Sequence, residues 1–383
     1  MGKQLIRLAA SYPVVTVTGP RQSGKTTLCR TIFPNKKYVN LESIAERNFA
    51  SADPRGFLSR FPDGAILDEI QRVPELLSEI QVDVDERKTN GRYILTGSRN
   101  FDLMANVSQS LAGRTALLKL LPFSYEELKG EFSGLGQNEI LYTGFYPRVY
   151  DQKLNPSEAA SFYISTYIER DVRSILNVKD LSVFELFLKL CAGRTAQLVN
   201  LNALSEEIGI SHNTVKQWIS VLEESYIIRL VRPYHANVNK RLVKSPKMYF
   251  LDTGLVCFLL GIHTSEQVES HPLRGALFET FAFSELLKAE YNSALNDNMY
   301  FYRDQGSLEI DFVLDYGSTC EALEVKSSKT LHPDFMKNVA SFSTLIQATN
   351  NKFLLYGGEE TVAYMGATAV GWRNFASAIH TSV

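Results

Sequence analysis

From Tyr12 to about Phe123 the chain alternates short apolar runs with helical stretches. The runs are Val14-Val15-Thr16-Val17-Thr18, Tyr38-Val39-Asn40-Leu41, Ala65-Ile66-Leu67-Asp68, Tyr93-Ile94-Leu95-Thr96 and Ala116-Leu117-Leu118-Lys119-Leu120. They show little polar alternation, which is the pattern of strands covered on both faces and hence of a parallel sheet between helices. An α/β domain of nucleotide-binding size is expected. After Pro122 the period turns helical, with breaks at Gly134-Leu135-Gly136 and at Thr143-Gly144-Phe145-Tyr146-Pro147 and an apolar-periodic helix from Glu158 to Leu176. This stretch reads as a small lid or connector.

Further on, Leu201 to Ile208, the turn Gly209-Ile210-Ser211 and His212 to Leu222 read as helix, tight turn and helix, with Ser211 as N-cap. The β-rich ends of Tyr226 to Phe250 are expected to form the hairpin of a winged helix. Residues from about 272 to 374 alternate helix, strand, strand and helix. The expected fold class is therefore α/β: a parallel sheet with helices on both faces, then a helical winged-helix domain and a second α/β domain. The corresponding boundaries are 1–125, 126–178, 179–255 and 256–383.

Length and composition fit this division. At roughly 100–200 residues per domain, 383 residues are too many for one core. A hydrophobic share of 45% supplies enough apolar surface to exclude wholesale disorder. Forty basic against forty-two acidic side chains leave a net charge of -2, so a nucleic acid or anionic membrane finds no global field and must be met by a local patch. Cys29, Cys191, Cys257 and Cys320 are far apart and form no CxxC pair, which signals neither a zinc knuckle nor a disulfide framework. Met1 to Ala10 lacks the apolar core of a signal peptide, and the longest strongly apolar run, Leu255 to Ile262, is far short of the roughly 20 residues a bilayer requires. A soluble, cytoplasmic protein without a membrane partner is expected.

The sharpest chemical signal is Gly19-Pro20-Arg21-Gln22-Ser23-Gly24-Lys25-Thr26, which fits GxxxxGK[ST] and sits between a β-rich run and the helical Thr27 to Phe33. The glycines let backbone amides curl around phosphates, the helix N-terminus adds a favourable dipole, Lys25 reaches the β/γ oxygens of ATP and Thr26 offers a hydroxyl to Mg2+. Thr27 completes the loop. Ala65-Ile66-Leu67-Asp68-Glu69 then ends an apolar run in two carboxylates, expected to hold the ion through water (Asp68) and to polarise the attacking water (Glu69). Tyr93-Ile94-Leu95-Thr96-Gly97-Ser98-Arg99-Asn100 ends another strand in polar groups, with Ser98, and Asn100 behind it, as the γ-phosphate sensor or else a helix N-cap. Arg114 stands just before the last β-rich run.

At these residues the chain resembles the AAA-type P-loop ATPases, and more narrowly a prokaryotic family that opens with a GPRQxGKT loop and ends in a domain of unknown function with a nuclease-like core. The resemblance extends through Leu111 to Arg114, Leu121-Pro122-Phe123 and Tyr167 to Val172. It implies that Arg114 reaches a neighbouring subunit's nucleotide, and so a homo-oligomer; Arg99 and Arg148 are alternatives, and a plain salt bridge at the strand entry is another.

Two further constellations bear on partners. The hairpin holds Arg229, Arg232, Lys240, Arg241, Lys244 and Lys247 with no acidic residue. Six phosphate contacts on duplex DNA would give a log-log salt slope of about -5. His212, Asn213, Thr214, Lys216 and Gln217, at the start of the second helix, are placed to address a groove. A protein-binding module remains the equal alternative. Farther on, Glu279 falls in a helix from about Arg274 to Glu290, Asp311 in Glu309 to Leu314, and Glu324-Val325-Lys326 at a strand end. A helix acid, a hairpin acid and an E-x-K triplet resemble the PD-(D/E)xK nuclease fold, and that resemblance implies a second Mg2+ or Mn2+ held by the carboxylates, with Lys326 supporting the attacking water. The alternative is a nuclease-like scaffold that does not cut.

Overall fold

The computed structural model describes residues 1–97, 110–167, 172, 181–234, 245–293, 298–304 and 308–380. The chain divides into two compact units, the first comprising residues 1–122 with short pieces around 224–226 and 290–293.

The first unit is built on strands β1 (Val14–Thr18), β2 (Lys37–Asn40), β3 (Ala65–Asp68), β4 (Tyr93–Gly97) and β5 (Thr115–Lys119). Their order is β2-β3-β4-β1-β5, and every pairing is parallel. The five expected strands therefore form, shifted by a residue at most ends. Successive side chains leave opposite faces of a strand, and each face has its own core. Leu67 and Leu95 pack with Leu76, Ile80 and Val84 of the helix Leu76–Arg87, whereas Ile66 and Ile94 pack with Leu5 and Leu8 of the helix Gly2–Ser11. Burial on both sides is why β1, β3 and β4 read as unbroken apolar runs. Because the strands are parallel, the C-terminal ends of β1, β3 and β4 share one edge, and the phosphate-loop motif leaves from the middle of that edge.

The second unit holds residues 123–223, 227–289 and, in its last part, 298–380. Strands β6 (Gln197–Leu198), β7 (Ile228–Val231) and β8 (Lys247–Phe250) form a small antiparallel sheet in the order β6-β8-β7. A larger sheet comprises β9 (Met299–Arg303), β10 (Glu309–Asp315), β11 (Cys320–Lys326), β12 (Thr349–Tyr356), β13 (Val362–Tyr364) and β14 (Ala367–Gly371), ordered β13-β14-β12-β11-β10-β9. The last three strands are not expected from the sequence. Burial along β12 is confined to Phe353–Tyr356, after a polar Thr-Asn-Asn-Lys start, β13 is three residues long with none buried, and β14 buries only its last three residues, so none shows an apolar period. The helix Arg274–Asn292 carries Phe283, whose ring stacks on Tyr249 of β8 at 4.5 Å. The helix expected from Glu158 to Leu176 is present over Pro156–Tyr167; most of its later span lies outside the described residues. Among the described residues no helix is long and apolar enough to cross a membrane.

One buried carboxylate organises the middle of this unit. Asp252 caps the helix Thr253–Leu259 by accepting the Leu255 amide at 3.0 Å, and its other oxygen accepts the Phe145 amide at 2.6 Å. Gly144 makes that approach possible: at φ 69°, a Cβ there would lie 2.4 Å from Asp252 Oδ1. The glycine in the Thr143–Pro147 break is thus required for a long-range contact. Replacing Asp252 with Ala leaves two buried amides unpaired, a loss on the order of 2–4 kcal/mol. Urea unfolding followed by the fluorescence of Trp218 and Trp372, both in this unit, should show the midpoint fall.

Candidate functional site

Where β1 ends, the backbone turns through Gly19 at φ 145° and Gln22 at φ 62° to Gly24 at φ 90°, which precedes the helix Lys25–Ile32. Gly19 is needed on two counts, since a Cβ there would fall 2.0 Å from the Leu120 carbonyl. Lys25 is 7% exposed, and its ammonium donates to the carbonyls of Gly19 at 3.0 Å and Pro20 at 2.6 Å. Burial lowers its pKa to about 8, against the upward pull of Glu69 and Asp68. Ser23 is 4% exposed, and its hydroxyl has no hydrogen-bond partner among the described residues. A buried ammonium satisfied by carbonyls alone, next to an orphaned hydroxyl, fits an anion with several oxygens. Arg21 is half-buried in the loop; Gln22 and Thr27 are exposed.

Asp68 closes β3 at 6% exposure and gathers three hydroxyls. Thr26 donates to it at 2.9 Å, Tyr38 of β2 at 2.8 Å, and Thr96 of β4 by a short bond. The sheet order explains the convergence, because β3 lies between β2 and β4. Glu69 follows at φ 58°, a left-handed conformation that is uncommon for non-glycine residues. Its carboxylate accepts the Gln71 side-chain amide. The side chains expected to serve a metal, Thr26 and Asp68, are therefore in contact beside Lys25, and their oxygen chemistry fits Mg2+. Tyr38 and Thr96 were not anticipated; only the pairing of their strands with β3 places them there.

Of the other expected elements of this site, only the two arginines farther along the chain, Arg114 and Arg148, are among the described residues. Ser98, Arg99 and Asn100 lie outside the described residues. Arg114 makes a two-pronged ion pair with Asp85, at 2.7 and 2.8 Å. Thr115 pairs with Val14 at the start of β1, so Arg114 stands on the sheet edge opposite the loop. At about 3.3 Å per strand residue that is roughly 16 Å away, too far to touch a nucleotide held by its own chain. Arg148 donates to Gln152 at 3.0 Å.

In the second unit the helix–turn–helix is formed by Leu201–Ile208 and His212–Glu224, joined through Gly209 at φ 77°. Ser211 accepts the Thr214 amide at 3.1 Å, as expected of an N-cap. His212, Asn213, Lys216 and Gln217 are exposed and Thr214 is half-buried, whereas Trp218 turns inward between Phe184 and Phe187, with ring centroids at 4.9 and 5.2 Å. The strands β7 and β8 pair antiparallel as the expected hairpin arms. Of its cations, three are among the described residues, and these differ in exposure. Arg229 pairs with Glu223 at 3.7 Å, Arg232 is exposed, and Lys240, Arg241 and Lys244 lie outside the described residues. Lys247 is 3% exposed and faces inward, a correction to its expected place among the phosphate contacts.

Lys247 leads to the carboxylates of the second α/β sheet. Its ammonium lies 2.6 Å from Glu309, 3.2 Å from Glu279 and 3.8 Å from Asp311. The Tyr249 hydroxyl donates to Glu279 at 2.5 Å. Asp311 accepts the Val325 amide at 2.8 Å, and Lys326 lies 2.5 Å from Glu324 and 3.9 Å from Asp311. All four expected side chains are thus joined in one network. Among the described residues, however, no group of three or more acidic, His or Cys side chains is arranged to hold a metal. Burial, and after it Asp311, raises the pKa of both Glu279 and Glu324. Burial would lower Lys247, but Glu279, Asp311 and Glu309 outweigh it and hold the ammonium above its ordinary range. The sequence signal toward Lys247 is its even spacing from Tyr249, which puts both side chains on one face of β8.

Comparison with known proteins agrees with the first unit and leaves the second open. Residues 11–129 match the model of an AAA domain, while 135–266 and 274–375 match two domains of unknown function, DUF8612 and DUF4143. An uncharacterised protein of Mycobacterium tuberculosis is 28% identical over 360 residues, covering 93% of this chain and 79% of that one. Among solved structures, the chain is similar to the Walker-type ATPase PABY2304 of Pyrococcus abyssi, with a TM-score of 0.47, 16% identity and coverage of 67% of this chain and 94% of that one. It is also similar to AMPPCP-bound DnaA of Aquifex aeolicus, with a TM-score of 0.31, 16% identity and coverage of 58% and 85%. The parallel sheet, the phosphate-loop motif at its edge and the matched domain model together make the first unit an AAA-type P-loop domain.

Proposed function

We propose that the protein is a Mg2+-dependent ATP hydrolase that acts on nucleic acid through the helix–turn–helix of its second unit. The observation that carries the hydrolase reading is the Lys25 ammonium, buried on the Gly19 and Pro20 carbonyls beside the orphaned Ser23 hydroxyl. In this reading the amides from Gly19 to Thr26 cradle the phosphate tail and Lys25 turns from those carbonyls to the β/γ oxygens. Added negative charge opposes the burial that lowers its pKa, so binding favours the ammonium form. Thr26 and Asp68 would hold Mg2+, with Asp68 acting through water; the ion supplies charge neutralisation in phosphoryl transfer. Glu69 would orient and deprotonate the attacking water once its carboxylate is shared with, or released by, Gln71. Ser98 would sense the γ-phosphate. Arg114, on the far edge of its own sheet, would serve the nucleotide of a neighbouring chain after leaving Asp85, a contribution of ~10³ to 10⁵ in rate.

A second reading is favoured by the position of Lys247: an ATP-dependent regulatory switch that binds a protein partner, with a nuclease-like domain that does not cut. Both readings share the same hydrolase. They differ in what the exposed face of His212, Asn213, Lys216 and Gln217 meets.

Four measurements check these assignments. Lys25→Ala should weaken ATP binding by at least about tenfold, or ~1.4 kcal/mol. Glu69→Gln should still bind ATP while turnover falls by about 10² or more; normal turnover by that variant removes Glu69 from the mechanism. With Lys247 withdrawn from the hairpin's cations, the five that remain limit the log-log salt slope of duplex binding to about -4.5. Duplex DNA should also raise ATP turnover. Turnover indifferent to DNA, with no salt-dependent binding, favours the protein-binding switch.

A further inference from the structure

By sequence Lys247 belongs to a basic hairpin without acids, yet its ammonium stands among carboxylates from two other elements. Glu279 comes from the helix Arg274–Asn292, and Glu309 and Asp311 come from alternate positions of β10. The approach is fixed from its own strand as well, because Tyr249, two residues on and on the same face of β8, donates to the Glu279 oxygen that Lys247 contacts. Behind the ammonium, the ring of Phe301 lies 5.5 Å away, a cation–π contact that favours the charged form.

A carboxylate centre for a hard divalent ion gathers oxygens around one point of positive charge. Here that point is held by an ammonium on a strand of the small sheet, 3% exposed and at ion-pair distance from all three carboxylates. A second cation among the same oxygens would meet it at close range in a poorly screened interior, where like charges repel strongly. Lys326 completes the closure from the other side by pairing with Glu324 and lying near Asp311.

We propose that Lys247 takes the place of the divalent cation in this centre, so that Glu279, Glu309 and Asp311 form an internal ion-pair junction that ties β8 to the large sheet and binds neither Mg2+ nor Mn2+. This goes beyond the ATPase reading and stands or falls without it. It assigns the carboxylates a cohesive role, and it assigns Lys247 the role of excluding metal.

The test is a Mn2+ titration of the nucleotide-free full-length protein, followed by electron paramagnetic resonance of the free ion. Wild-type protein should show no Mn2+ site that depends on Asp311. Lys247→Ala should gain about one Mn2+ per chain, and adding Asp311→Asn in that background should abolish the gain, with the residues of the P-loop untouched. A wild-type site lost in Asp311→Asn overturns the proposal. So does a folded Lys247→Ala protein, verified by circular dichroism, that binds no additional ion. Should Lys247→Ala fail to fold, the wild-type and Asp311→Asn titrations decide alone.

Discussion

A lysine ammonium withdrawn from water is stable only beside compensating dipoles or charge, and the two units meet that constraint in opposite ways. Lys25 is surrounded by carbonyls, with the nearest carboxylates engaged by other donors, and burial drags its pKa down to about 8. Lys247 is equally withdrawn, but three carboxylates more than offset burial and push its pKa up. The first ammonium is undercompensated and suits an incoming anion. The second is already paired and leaves no need for another ion. On the two proposals, the same chemical group is poised for a ligand in one unit and closed to one in the other.

What holds the first arrangement open is the sheet. Asp68 is anchored by hydroxyls from three directions, Thr26 of the loop helix, Tyr38 of β2 and Thr96 of β4. A carboxylate so placed points toward the loop instead of collapsing onto Lys25, and the ammonium is left to carbonyls that are weaker partners. Gly19 contributes by letting the chain pass against Leu120, which brings the loop down onto the sheet edge. Preorganisation of this kind keeps donors and acceptors in place before a ligand arrives.

Legibility in the sequence followed burial. The strands of the first unit are covered on both faces, so their apolar runs stood out, and the loop motif was informative because it lay between one such run and a helix. The helix–turn–helix was legible through Gly209 and Ser211, whose turn and cap chemistry are local. Lys247 was not, because it closes a segment that carries basic residues and no acid, and its partners are about 30 to 60 residues away, on a helix and a strand that only tertiary packing brings near. Tyr38 and Thr96 escaped for the same reason. Arg114 was found by position, but its pairing with Asp85 depends on the facing helix. The strands β12 to β14 escaped because β12 opens on polar residues and its apolar end runs straight into Gly357-Gly358, while β13 and β14 are short and partly exposed.

Lys25 and its loop are proposed to receive a triphosphate together with Mg2+. Titrating nucleotide-free wild-type protein with a fluorescent ATP analogue, with and without Mg2+, tests it most directly. Saturable occupancy of one site per chain, tightened by Mg2+ and displaced by unlabelled ATP, is the predicted result. A folded protein that stays unoccupied at millimolar nucleotide with Mg2+ present would contradict it.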